Sequence, residues 1–183
     1  MKTITILTSF FCVALLFTVI SQANDAQPNI PYIQRDICPF ECCQYGKWIA
    51  RTTLTAYKRE GDRKSTAFRI KNGDEFAAIR GNVHIVRLGI VAVKKSFDVF
   101  TEGDRVYLLS YRGEGVYDLW YKGRVFASVD DFWSNVELIK TPELIWWVLV
   151  KNKFGKYGWL RLKNVGDSGF RLEEEIDGLD SCS

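Results

Sequence analysis

The sequence predicts an all-β protein of two small barrels in tandem, and three observations carry that prediction. Short runs of β-branched and aromatic residues recur along the chain, separated by glycine-containing turns. No segment sustains an apolar period of 3.6 residues. A Gly-Asp pair followed by an alternating strand occurs twice, at Gly73-Asp74 and Gly103-Asp104, 30 residues apart.

The elements follow in order. Met1 and Lys2 give a basic start to an apolar run from Ile4 to Ile20, and Ser21-Gln22-Ala23 places small residues around a cut after Ala23. That is the layout of a secretory signal peptide. A retained anchor is the alternative, because about 17 apolar residues is the lower limit for a spanning helix. The phenylalanines before Cys12 do not suit lipidation. Removal of residues 1–23 leaves 160 of the 183 residues, four of the five cysteines, and a charge of +2 in place of +3. The chain is therefore expected to be secreted or periplasmic, with no membrane partner after cleavage.

Residues 24–47 form a Cys-containing lead-in that carries prolines and Cys38-Pro39-Phe40-Glu41-Cys42-Cys43. A first barrel is expected over 48–95. Trp48 to Tyr57 reads as a strand, Gly61-Asp62 as a break, Ala67 to Ile70 as a strand and Asn72-Gly73-Asp74 as a turn. Glu75 to Arg80 is a short strand, Gly81-Asn82 a second turn, and Val83 to Lys94 a longer strand. A second barrel is expected over 96–165. Its strands run through Arg105 to Tyr111, then Val116 to Tyr121 and Arg124 to Ala127 around Lys122-Gly123. Ile145 to Lys151 and Tyr157 to Leu162 flank another hairpin turn. A short helical turn fits within Val129 to Ile139. Residues 166–183 read as an acidic tail.

The cysteines Cys38, Cys42, Cys43 and Cys182 permit three pairings. A bond between neighbours 42 and 43 is strained, so one local bond from Cys38 and one tie from Cys182 to the N-terminal segment are expected. The spacing suits neither a zinc knuckle pair nor a Cys-x-x-Cys redox site. No metal and no cofactor is expected. His84 is the only histidine. It reads as a sheet-surface residue, with a Cys42 or Cys43 thiolate–His84 pair as the enzymatic alternative.

Aromatic residues make up 14% of the chain, and the tryptophans and tyrosines gather in the second half. Strand neighbours face opposite sides, so Trp146 with Trp147, and Trp120 with Tyr121, cannot both be core. Exposed rings offer flat contacts to sugars or extended peptides. The candidate ligand-binding residues are Tyr111, Glu114, Trp120, Tyr121, Trp146, Trp147 and Trp159. Glu114 sits in a glycine turn, where it could receive a cationic group. Asp130-Asp131 and Glu173-Glu174-Glu175 are contiguous runs, unlike two carboxylates held across a cleft. No nucleotide loop, hydrolase elbow or zinc-protease motif occurs.

Ile145-Trp146-Trp147-Val148-Leu149-Val150-Lys151, a glycine hairpin, and Lys156-Tyr157-Gly158-Trp159-Leu160 resemble the end of a bacterial SH3-like (SH3b) domain. Gly103 to Val106 fits an earlier part of that pattern, and the resemblance covers Phe97 to Val165. The Cys38 to Trp48 segment, with Glu114-Gly115 and Trp120, resembles a group of exported SH3-like proteins. The resemblance implies barrels of about 60 residues with small cores, which leaves little chain for a catalytic domain; a fused single barrel with long insertions is the structural alternative. A non-catalytic exported protein that binds a cell-envelope polymer or peptide is the expected function. A secreted inhibitor or protein-interaction module is the alternative. The near-neutral charge argues against nucleic acid.

Overall fold

A computed structural model describes residues 27–163 and 175–179. The leader, Cys12, Cys182 and most of the acidic tail lie outside the described residues. The architecture is all-β, as the turn spacing predicts, with two sheets and one short helix among the described residues.

The first sheet is built around one long strand. β5 (Glu75–Arg87) pairs with β11 (Glu143–Asn152) along one edge. Its other edge is shared by β1 (Tyr32–Gln34) and β2 (Gly46–Ala50). β11 continues to β12 (Tyr157–Lys163), then β3 (Leu54–Arg59) and β4 (Asp62–Ile70). β13 (Ile176–Asp177) closes the far side on β2. The second sheet has the order β10 (Val136–Lys140), β6 (Gly89–Val93), β7 (Arg105–Gly113), β8 (Val116–Tyr121) and β9 (Arg124–Ala127). The helix α1 (Phe132–Asn135) leads into β10 and lies within the predicted stretch.

The pairing divides the chain differently from the expected split at residues 95 and 96. Residues 89–140 form the second sheet as an insertion, and β11 and β12 return to complete the first. The Trp-rich hairpin thus belongs with the N-terminal strands. The physical reason is the length of β5. It runs straight through Gly81-Asn82, which the sequence marks as a turn, and so presents a full edge to β11. Gly81 serves packing instead. A Cβ there would lie 2.8 Å from the Tyr45 hydroxyl and 2.9 Å from Trp146 Cε2, so only glycine lets these rings lie on the strand. Val83 to Lys94 is likewise divided, at Leu88, where the chain passes from one sheet to the other.

Two cores follow from strand alternation. The first holds Trp48, Phe76, Val83, Ile85, Trp146, Val148 and Leu160. Ile176 and Leu179 enter it as well, so this part of the expected tail is core. The second holds Val91, Val106, Leu108, Leu119, Tyr121 and Phe132. β7 serves both: Val106 and Leu108 face the second core, Tyr107 and Leu109 the first. This explains its unbroken apolar run, because a strand covered on both faces needs no polar alternation.

Candidate functional site

The N-terminal segment enters and leaves the same edge of β5, as β1 and then β2. The residues between them form a loop that leaves the sheet. Asp36 N donates to Asn82 Oδ1 at 3.0 Å, Ile37 N to the Gly81 carbonyl at 3.1 Å, and the Tyr45 hydroxyl to the Ile37 carbonyl at 3.0 Å. Burial raises the Tyr45 phenol to about 12, so it stays protonated and donates. A Cys38–Cys43 disulfide closes the loop tip, and Cys42 is disulfide-bonded as well. The expected tie from Cys182 falls outside the described residues.

This loop carries Glu41 to the tip of the β7–β8 hairpin. Glu41 Oε1 accepts from the Glu114 backbone N–H, and the Tyr111 hydroxyl donates to it at 3.5 Å. Gly115 N donates to the Tyr111 oxygen at 3.1 Å, and Trp133 Nε1 donates to the Gly115 carbonyl at 3.0 Å. Gly113 has φ of 114°, and a Cβ there would meet Glu41 Cγ at 2.6 Å. The turn is thus gripped from three elements. Its glycines provide both the backbone angle and the space.

The same contacts align three rings. Tyr111 and Tyr117 have centroids 5.1 Å apart, and Tyr117 and Trp133 5.4 Å, nearly perpendicular. Tyr111 and Trp133 spend their polar atoms on the turn, which fixes their orientation and leaves ring surface to solvent. Trp133 is 41% exposed. Exposed carboxylates rim the ladder: Glu41 and Glu114 at one end, Asp130 and Asp131 beside Trp133.

The other candidates are placed elsewhere. Trp146 is wholly buried in the first core against Phe40, Tyr45 and Trp48. Tyr121 is buried in the second, its hydroxyl donating to Asp104. That bond, with Lys122 Nζ 3.0 Å away, holds the Asp104 carboxyl below its usual range. Trp147 points away from the core, as alternation requires, yet is only 2% exposed. Trp146, Trp147 and Tyr121 are therefore corrected to packing residues: their rings have no free face. Trp120 is half-buried, edge-on to Tyr32, on the opposite face of β8 from Tyr117. Trp159 is half-buried on the first sheet, with the Arg80 guanidinium 5.7 Å from its ring centre. Of the seven candidates, Tyr111 and Glu114 come together. Tyr117, Trp133 and Glu41 complete the group. Trp133 has a sequence signal, since it follows Asp130-Asp131 outside any strand pattern.

The cover over Trp147 is the β3–β4 hairpin. Register shifts at Tyr57 bend its end. Tyr57 then stands 6.0 Å from the Trp147 ring, and the turn residue Glu60 meets β5. The Asn82 side-chain N–H donates to Glu60 Oε2 at 2.8 Å, and His84 Nε2 lies 2.6 Å from Glu60 Oε1. His84 is buried, not on a free sheet surface, and faces Glu60 rather than a cysteine. Cys42 and Cys43 are both in disulfides, so the thiolate–His84 pair is not assembled. We expect these sulfurs to stay unmodified when the native protein is treated with a thiol reagent and mapped by mass spectrometry. Replacing Cys38 and Cys43 together by serine should lower stability by about 2 kcal/mol, the loop-entropy value for so short a ring, measured by urea unfolding.

Among the described residues no group of three His, Cys, Asp or Glu side chains could hold a metal. A notch lined by Arg69, Asp74, Phe76, Lys153 and Phe154 offers about 30 Å³, room for a few waters only. Comparison of the chain with family models, curated proteins and solved structures finds no match.

Proposed function

We propose that this is an exported, non-catalytic SH3-like binding protein, and that it takes a cell-envelope polymer or peptide on the Tyr111–Tyr117–Trp133 ladder. The observation that carries the reading is the ladder's construction. Three rings are held in fixed orientation by hydrogen bonds to one turn, at the junction of the disulfide loop and the second sheet. A pre-oriented aromatic strip binds an extended chain with little ordering cost. The carboxylate rim favours a ligand that carries amine groups, since a cation gains from both the ring faces and the acids. The leader's layout supports export, and the Trp-rich hairpin supports the SH3-like assignment.

The test is retention of the purified protein on isolated cell-wall material and envelope proteins. Trp133→Ala and Tyr117→Ala should each weaken retention about ten-fold or more, in keeping with the 2 kcal/mol of a central aromatic contact. Trp133→Ala should cost little stability, because its ring is 41% exposed, whereas Tyr117→Ala should also cost about 1–3 kcal/mol, because that ring packs against the second core. Retention unchanged by both variants would sink the reading. Recovery of one stoichiometric protein in place of wall polymer would favour the inhibitor or interaction-module alternative.

A further inference from the structure

The tip of the β3–β4 hairpin reads Lys58-Arg59-Glu60-Gly61-Asp62-Arg63-Lys64. By sequence it is a mixed-charge turn. The structure separates its charges. Glu60 turns inward and is bound by Asn82 and His84. Asp62 Oδ1 accepts from the Lys64 backbone N–H at 2.8 Å. Lys58, Arg59, Arg63 and Lys64 are all exposed, and none forms an ion pair with another described residue. Some other basic residues of the first sheet are paired: Arg80 with Asp36, and Arg87 and Lys163 with Glu143. The tip thus presents four exposed cations without an ion-pair partner within seven residues, against two carboxylates, and is anchored through Glu60.

We infer that this tip is a docking point for the anionic headgroup surface of a phospholipid bilayer. The charge selects the partner. Residues 58–64 carry no aromatic ring to stack on bases, but their four exposed cations can rest on a plane of charge. Each Lys or Arg near an anionic leaflet contributes about 1 kcal/mol, or roughly five-fold in partitioning, so four cations suffice for reversible attachment. The anchoring of Glu60 matters because it draws one of the two carboxylates inward, away from the exposed cations. The tip lies on the first sheet and the aromatic ladder on the second, so a tethered molecule could engage both surfaces.

The test is co-sedimentation of the protein, recovered from its native host, with vesicles of pure phosphatidylcholine and of phosphatidylcholine with phosphatidylglycerol. The comparison protein carries Lys58→Gln, Arg59→Gln, Arg63→Gln and Lys64→Gln together. Wild type should bind the anionic vesicles at least a hundred-fold more tightly than the variant, and more weakly as salt rises. Neither should prefer neutral vesicles. The variant should keep the wild-type unfolding midpoint and its retention on envelope polymer, which separates this inference from the ladder's role. Equal binding of both proteins to anionic vesicles would overturn it. So would binding to soluble polyphosphate with none to vesicles.

Discussion

Trp146→Ala should destabilise the protein by about 3–5 kcal/mol, the range for truncating a fully buried tryptophan, and should do so whatever the ligand. Trp146 packs among Phe40, Tyr45 and Trp48, under the backbone of Gly81. Removing it leaves a cavity at the point where the disulfide loop, β5 and β11 meet. The complementary change is Gly81→Ala, which inserts one methyl between Trp146 and Tyr45. An overpacked site of this kind costs about 1–3 kcal/mol or more. The two effects share one space and so should not add. In a Trp146→Phe background the smaller ring makes room, and the cost of Gly81→Ala should fall by at least half. Urea unfolding with unchanged m-values would measure this. Additive costs would mean that the indole and the Gly81 backbone are not in contact in solution.

Glu60→Ala should cost about 2–4 kcal/mol, the sum expected for two buried polar partners left without their acceptor. Asn82 Nδ2 and His84 Nε2 would both lose Glu60, under a hairpin that shields them from water. The loss should be local as well as global. Amide exchange should accelerate around Arg59 to Arg63, and iodide quenching of Trp147 should rise as the tip lifts. Glu60→Gln keeps one acceptor and should retain part of the stability. If Glu60→Ala unfolds at the wild-type midpoint with unchanged exchange, the hairpin is not held by this contact. Trp133→Ala should lose binding at a far smaller cost in stability than Trp146→Ala, since its ring is 41% exposed. This pair of tryptophans therefore separates the packing role from the ligand role.

Two hairpins of the second half were legible, because each depends on residues close together: Lys122-Gly123 between Val116 to Tyr121 and Arg124 to Ala127, and Asn152 to Lys156 between β11 and β12. The alternation at Trp146 and Trp147 was legible for the same reason, and the two rings do face opposite sides. What could not be read was which face stays open. Trp147 is buried by a hairpin some 90 residues earlier in the chain. Of the site, Tyr111 and Glu114 showed as an aromatic beside a glycine turn. Glu41 did not, because its role depends on a loop crossing from the first sheet to the second.

The sequence by itself determined the all-β class, the local turns, the period-two faces and a disulfide from Cys38. These follow from backbone angles, side-chain branching and short-range strain, which neighbouring residues carry. Only the tertiary structure decided that residues 89–140 are an insertion, that Gly81 is a packing site rather than a turn, and which aromatics reach solvent. Each depends on pairing between distant strands. A glycine signals a turn or a close approach equally well, and only the ring that lies over Gly81 distinguishes them. The charge on the β3–β4 tip has the same character. Four cations and two acids stand side by side in the chain, and folding turns one acid inward onto β5 and leaves the cations to solvent.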